Sequence, residues 1–214
     1  MKSNIKIFCI GLNKTGTTSI HIALQILGFN SVHHRESTGK SIKAIIKNNY
    51  DNNLDILKGI ENYDAFSDWS HPSTNFLFKE FDKQYPNSKF ILNTRDVNAW
   101  MNSREKHLKR TPNLKKLQKQ NPNNKWLKMD RAVWHEEFED HHKAVREYFA
   151  DRPNDLLEYD ITKGDAWEKL CGFLNKDIPE GEFPSANVAS NQSRKLKISG
   201  KVKRIMKRFL QLGN

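Results

Sequence analysis

A short run of glycine, lysine and hydroxyl side chains carries residues that could bind an anion: GLNKTGTTS, from Gly11 to Ser19. It follows the apolar stretch 5–10 and precedes a helical pattern, so we predict a strand, a loop and a helix start. Gly11 and Gly16 allow close approach of the backbone, and a helix start presents N–H groups that favour an anion. The sequence therefore predicts a phosphate-binding loop.

The position of the lysine distinguishes this loop from that of ATP- and GTP-binding proteins. Their pattern is GxxxxGK[ST], with the lysine after the last glycine. Here Lys14 precedes Gly16, and Thr17 follows it. The order argues against a nucleoside triphosphate, and a carboxylate placed for Mg²⁺ is not apparent. A P-loop small-molecule or nucleoside kinase remains the alternative.

A second motif lies farther along the chain, in KFILNTRDVNAWMNS (residues 89–103). An apolar strand pattern ends in Arg95, and Asp96 is expected to cap the helix that follows. Ser103 lies two turns into that helix and faces the same way as its first turn. We expect Arg95 and Ser103 to converge on one phosphate group.

The loop and the second motif together resemble sulfotransferases that use 3′-phosphoadenosine 5′-phosphosulfate (PAPS). The resemblance covers roughly residues 5–187, includes DWSHP, YPNSKFILNTRD and LCGFLN, and is greatest to a short subgroup of that family. It implies a three-layer, P-loop-type α/β domain with a central, mainly parallel sheet of about five strands. Alternating strand and helix patterns indicate the same class independently.

The same resemblance implies transfer of a sulfuryl group from PAPS to a hydroxyl or amine, with no metal. Lys14 would stabilise the charge that builds up on the leaving group. The cofactor-binding residues that it implies are Asn13, Lys14, Thr15, Gly16, Thr17, Thr18, Ser19, Arg95, Ser103, Tyr159 of the EYD string, and Arg194 and Lys195 of a late basic segment.

The acceptor needs a base within hydrogen-bonding distance of its proton. A histidine needs little shift of its pKa to act near neutrality, whereas Asp68 would need burial or a partner. Asp68 is expected at the carboxyl end of a strand, where ligands bind in open α/β sheets. The sequence leaves the choice open among His34, Asp68 and His71, followed by His33 and Glu36.

Three further histidines, His135, His141 and His142, fall on a long amphipathic helix predicted over 125–149. No acid or cysteine has metal-site spacing to them, so we expect no metal there. Cys9 and Cys171 fall in apolar patterns and are expected to be unpaired core thiols.

The basic charge is concentrated in two segments of this 214-residue chain, which carries a net charge of +11. Residues 104–128 hold nine lysines and arginines against Glu105, and residues 194–208 hold eight against no acid. We predict a sulfotransferase domain over 1–190, with 104–128 as a mobile basic flap or insertion outside the core. Residues 191–214 would form a basic tail with a short amphipathic helix.

The expected partner is an acceptor glycan, lipid or small metabolite. The basic segments have few interleaved aromatic residues, which argues against nucleic acid, and the tail could contact an anionic membrane peripherally. A non-catalytic nucleotide- or nucleic-acid-binding protein is a further alternative. We see neither a run of about 18 apolar residues nor a signal-peptide pattern, and therefore expect a cytoplasmic protein.

Overall fold

A five-stranded parallel sheet forms the centre of the chain in a computed structural model that describes residues 5–70, 74–164 and 166–185. The strand order is β2-β3-β1-β4-β5. This confirms the predicted α/β class. The strands are β1 (Ile7–Cys9), β2 (Ser31–Val32), β3 (Ala65–Phe66), β4 (Lys89–Asn93) and β5 (Leu156–Tyr159).

Helices connect the strands, as parallel pairing requires. Short 3₁₀ turns precede α3 at Asn75–Leu77 and α6 at Lys125–Leu127. In the part of the chain that the structure describes, none of the helices is both long and apolar enough to cross a membrane. The helices are α1 (Thr17–Ile26), α2 (Ile42–Asp51), α3 (Phe78–Gln84), α4 (Val97–Lys109), α5 (Leu114–Gln120), α6 (Arg131–Tyr148) and α7 (Ala166–Leu174).

Two hydrophobic clusters cover the two faces of the sheet. Successive strand residues point to opposite faces, so Phe8 of β1 packs in the cluster with α2, α3 and the end of α6. Its neighbours Ile7 and Cys9 pack in the cluster with α1 and α7. The domain therefore has three layers, and Cys9 and Cys171 are buried, free thiols.

A third hydrophobic cluster joins α4, the start of α6 and the segment between them. The segment 104–128 was predicted to lie outside the core, but Arg104, Leu108 and Trp126 are each at most 5% exposed. That part of the prediction is wrong, because a few large side chains anchor an otherwise polar stretch. The helix predicted over 125–149 begins at Arg131, where the side chain of Asp130 caps it.

The chain divides after Pro184 into two units. Apart from Ser185, the second unit lies outside the described residues. So do His71 and the predicted tail with Arg194 and Lys195. Their predicted roles, and the domain boundary at 190, stay predictions.

The carboxyl ends of four strands bring several of the predicted site residues to one edge of the sheet. The predicted phosphate-binding loop, residues 11–19 and called the phosphate loop below, follows β1. His33 follows β2, Asp68 follows β3 and Arg95 follows β4. Parallel strands end at the same edge, so residues far apart in sequence meet there.

Gly11 is the point where the loop lies closest to β4. A Cβ atom at Gly11 would lie 1.8 Å from the backbone oxygen of Asn93, whereas one at Gly172 of α7 would have no atom within 4 Å. We expect Gly11→Ala to lower the free energy of unfolding by about 1–3 kcal/mol or more. Gly172→Ala should raise it by about 0.5–1 kcal/mol through helix propensity.

Urea unfolding of the two variants beside the unchanged protein measures this difference. Equal effects of the same substitution at both positions would show that the loop does not depend on close approach to β4.

Candidate functional site

The amide side chain of Asn93 holds the phosphate loop against β4. Its Oδ1 accepts a hydrogen bond from the backbone N–H of Gly11 at 3.0 Å, and its Nδ2 donates to the hydroxyl of Thr15 at 2.5 Å. That hydroxyl donates in turn to the carbonyl of Leu12. Asn93 is fully buried. The sequence analysis missed Asn93, although a polar residue ending the run KFILN was the available signal.

Two left-handed residues shape the backbone of the loop. Lys14 and Gly16 both have left-handed conformations, with φ of 69° and 94°. Gly16 is the N-cap of α1, and no side-chain hydrogen bond caps that helix end. Backbone N–H groups at an uncapped helix start, next to left-handed residues, form a concave anion-binding arrangement.

Arg95 contacts this loop from the end of β4. Its Nη1 donates to the carbonyl of Lys14 at 3.3 Å, and its buried Nε has no hydrogen-bond partner among the described residues. Ser103 is partly exposed on α4, in the second turn of a helix that the side chain of Asp96 caps as predicted. Convergence of Arg95 and Ser103 on one phosphate stays a prediction.

Arg104, which the sequence analysis did not single out, supports the loop from the side of α4. Its Nη1 donates to Oδ1 of Asn13 at 3.3 Å and its Nη2 to the carbonyl of Trp126 at 3.1 Å. The indole N–H of Trp100 donates to the backbone oxygen of Asn13 at 2.8 Å. Both polar oxygens of one loop residue are therefore fixed by α4.

The charge of Arg104 is stabilised by aromatic rings. Its guanidinium carbon lies 3.7 Å, 4.6 Å and 5.4 Å from the ring centres of Trp126, Trp134 and Trp100. Burial lowers its pKa to about 10, and the charge of Glu137 opposes the shift. A guanidinium over aromatic faces gains cation–π attraction that is largest when water is excluded.

His33 is the histidine that faces the loop. Its Nε2 lies 3.3 Å from Oγ1 of Thr17, 3.5 Å from Oγ1 of Thr18 and 3.5 Å from Oδ2 of Asp68. Burial, helped by the charges of His34 and Lys14, lowers the pKa of His33 to about 4. His33 is therefore a neutral imidazole at neutral pH.

Asp68 lies between cationic groups in the same site. Burial raises the pKa of its carboxyl group, against the opposing charges of His34, Lys14 and Lys43. Burial also lowers the pKa of Lys14, and Asp68 opposes that shift. The carboxylate and the loop lysine are thus electrostatically coupled, and both are only partly accessible to water.

The structure brings together three of the five candidate bases. His33 Nδ1 lies 2.9 Å from His34 Nδ1, and His33 contacts Asp68. Glu36 has a different role, because its carboxylate accepts hydrogen bonds from the backbone N–H groups of Thr38 and Lys40. These bonds lower its pKa to about 2, so Glu36 holds a turn and is a poor base.

His33, His34 and Asp68 are also the described residues that could hold a metal ion. One ligand atom from each lies within 4.8 Å of the others. Two imidazoles and a carboxylate suit Zn²⁺. However, the positive charges of Lys14 and Lys43 already act on Asp68, and they oppose the binding of a metal cation there.

Two of the three histidines of α6 have structural roles instead. His141 Nε2 donates to the carbonyl of Ile10 at 2.6 Å, and His142 Nδ1 donates to that of Phe138 at 2.7 Å. His142 Nε2 then accepts a hydrogen bond from the hydroxyl of Thr94 at 2.8 Å. His135 is exposed.

Tyr159 is buried in the core. It was predicted to contact the nucleotide, but its side chain is fully buried and its hydroxyl donates to the carbonyl of Ala166 at 2.6 Å. It packs in the cluster with α1 and α7. The tyrosine of the EYD string is therefore a core residue.

The support that Arg104 gives to the loop can be tested by substitution. Arg104→Met removes the donors to Asn13 and Trp126 and the larger of the two positive charges that act on Glu137. We expect the free energy of unfolding to fall by about 3 kcal/mol. Arg104→Lys should recover only part of it, since an ammonium lacks the flat surface that stacks on indole rings.

Arg110→Met is the matched control, because Arg110 is exposed at the end of the same helix. Its effect should stay below about 1 kcal/mol. Chemical denaturation measures all three variants, and equal stability of the Arg104 and Arg110 variants would contradict the proposed support.

Comparison with known proteins agrees with this geometry. Residues 6–192 match the family model of the sulfotransferase domain. The chain is also 26% identical over 215 residues to Ava biosynthesis cluster protein M of Aspergillus versicolor, in an alignment covering 84% of this chain and 80% of that protein. The family match spans most of the chain, including the phosphate loop, Asp68 and Arg95. The protein therefore belongs to the sulfotransferase domain family.

Proposed function

We propose that this protein transfers the sulfuryl group of PAPS to a hydroxyl or amine group of an acceptor. Family membership makes it a sulfotransferase. The observation that carries the choice of donor is the phosphate loop at the start of α1, joined by Arg95 from the neighbouring strand. PAPS carries a phosphosulfate at the 5′ position of its ribose and a phosphate at the 3′ position, so one donor can contact both the loop and Arg95.

The loop would bind the phosphosulfate end of the donor. Backbone N–H groups from Asn13 to Ser19 are the donors, and the hydroxyls of Thr17 and Thr18 lie at the same helix start. The hydroxyl of Thr15 is already engaged by Asn93 and Leu12, so Thr15 contributes through its backbone. Arg95 and Ser103 would bind the 3′-phosphate, and Arg194 and Lys195 would add positive charge there.

Transfer is a displacement at sulfur. The acceptor oxygen forms a bond to sulfur while the bond between sulfur and the bridging oxygen of the donor breaks. Adenosine 3′,5′-bisphosphate leaves with an additional negative charge, and the acceptor proton passes to a base. The ammonium of Lys14 stabilises the departing charge, which is the effect expected of a fixed cation in a site of low water content.

Asp68 is the base that the geometry favours. It lines a cavity of about 240 Å³ together with Asn13 of the loop. Burial raises its pKa, which makes its carboxylate a stronger base than an exposed aspartate. The pKa of His33 is lowered to about 4, which makes it a weaker base than an ordinary histidine, and its Nε2 lies 3.5 Å from Oδ2 of Asp68. His34 and His71 are the remaining candidates.

Nucleotide binding tests the donor. We expect tighter binding of adenosine 3′,5′-bisphosphate than of adenosine 5′-monophosphate by isothermal titration calorimetry. Arg95→Ala should weaken the bisphosphate by about 10- to 150-fold, because a charge-assisted hydrogen bond contributes about 1.5–3 kcal/mol. Monophosphate affinity should change little. Arg110→Ala serves as the control for a lost surface charge.

Equal weakening of both nucleotides by Arg95→Ala would sink the assignment of the 3′-phosphate. Preferred binding and turnover of ATP would favour a kinase instead.

Assays of sulfuryl transfer test the base. The assay supplies radiolabelled PAPS and separate glycan, lipid and metabolite fractions of a cell extract. Asp68→Asn should lower the rate about a hundredfold or more, with unchanged affinity for the bisphosphate. The rate should also fall as the pH drops through the raised pKa of Asp68, since the protonated carboxyl group cannot accept a proton.

His33→Gln and His34→Gln are the matched comparisons. A full loss in either variant, with Asp68→Asn still active, would move the base to a histidine.

A further inference from the structure

A cavity of about 240 Å³ beside the phosphate loop has more positive than negative charge. Asp68 is the acidic residue that lines this cavity, and Lys43, Arg35 and His34 line it as well. Lys14 adds a further cation that acts on Asp68. In the proposed reaction, the departing charge of the donor neutralises Lys14. Asp68 balances one of the other two cations, Lys43 and Arg35. Positive charge is therefore left in the cavity without an acidic partner among the described residues.

Lys43 is the more buried of the two cations that line this cavity. It lies in the first turn of α2 and is partly buried, and burial lowers its pKa. Asp68 acts on it through charge, but within the described ranges Lys43 makes neither an ion pair nor a hydrogen bond. Withdrawing an ammonium from water without a partner is costly, which favours an anion that completes the site.

Arg35 is exposed, lines the same cavity and begins a turn that hydrogen bonds within the protein hold. Arg35 pairs with Ser41 in an isolated antiparallel bridge, and the Glu36 carboxylate binds two backbone N–H groups inside the turn. One Nη1 donor of Arg35 reaches the carbonyl of Gly39. A guanidinium has five N–H donors, so others remain for a ligand. The position of the turn is fixed by the protein rather than by the ligand.

We propose that this cavity recognises an anionic group on the acceptor, and that the acceptor is a hydroxyl compound carrying a carboxylate or a similar anion. The inference rests on the proposed function and names its acceptor class. The hydroxyl lies at Asp68, next to the loop, and the anion lies at Lys43 and Arg35. Both contacts line one small cavity, so the anion is close to the hydroxyl in the acceptor.

The alternative role of Lys43 is to keep Asp68 ionised. In that case Lys43 would affect the pH dependence of transfer and would not distinguish charged from neutral acceptors. Binding of the donor phosphates is another use of the same charge, and it would appear as a loss of bisphosphate affinity.

The experiment compares 4-hydroxybenzoate with 4-hydroxybenzamide, two phenols of similar shape that differ in charge. Their dissociation constants are measured on the full chain saturated with adenosine 3′,5′-bisphosphate. We expect the carboxylate to bind at least about tenfold more tightly than the amide. Lys43→Met should remove this preference, and Lys43→Arg should retain part of it.

Lys47→Met is the matched control, because Lys47 lies one turn later on α2 and pairs with Asp51. It should keep the full preference. Equal binding of the two phenols, absence of binding by both, or a preference that survives Lys43→Met would each overturn the proposal. Bisphosphate affinity is measured first in every variant. If the unchanged protein does not bind the bisphosphate, the proposed function itself fails. If Lys43→Met alone loses bisphosphate binding, Lys43 binds the donor instead of the acceptor.

Discussion

Close contact between the end of β1 and the end of β4 determines the shape of the phosphate loop. Asn93 makes this contact with both functional groups of its side chain, one to the backbone of Gly11 and one to Thr15. The absence of a side chain at Gly11 lets the two strands approach. The loop is also held from α4 through Asn13. It is therefore ordered before a ligand binds, which lowers the entropic cost of binding.

Burial has opposite effects on the acidic and basic groups of the site, and both serve the proposed chemistry. It raises the pKa of Asp68 and lowers the pKa of Lys14, because the charged form of either group is less stable away from water. Their mutual attraction limits both shifts. A carboxylate that binds a proton more readily and a partly buried cation thus interact through their charges in the site where, in the proposed reaction, a proton would be removed and negative charge would appear.

One buried and one partly buried cation of this protein differ in what stabilises their charge. Arg104 is surrounded by three indole rings and feels the charge of Glu137, so the protein itself stabilises its charge. Lys43 has no comparable surroundings among the described residues. This contrast is why Arg104 has a structural explanation, whereas Lys43 points to a ligand.

The sequence by itself determined the fold class, the strand–loop–helix arrangement around residues 11–19, the strand that ends before Arg95 and the helix that Asp96 caps. Each depends on local patterns: alternation of apolar residues, glycine positions and capping side chains. Sequence alone did not identify Asn93, Arg104 or the orientation of His33, it placed Tyr159 at the nucleotide, and it left residues 104–128 outside the core. Those features depend on which strands become neighbours and which helix faces the loop. Only the tertiary structure decided them. For Asn93 and Arg104, the loop residues that they contact lie about 80 to 90 positions away, and no local pattern records their pairing.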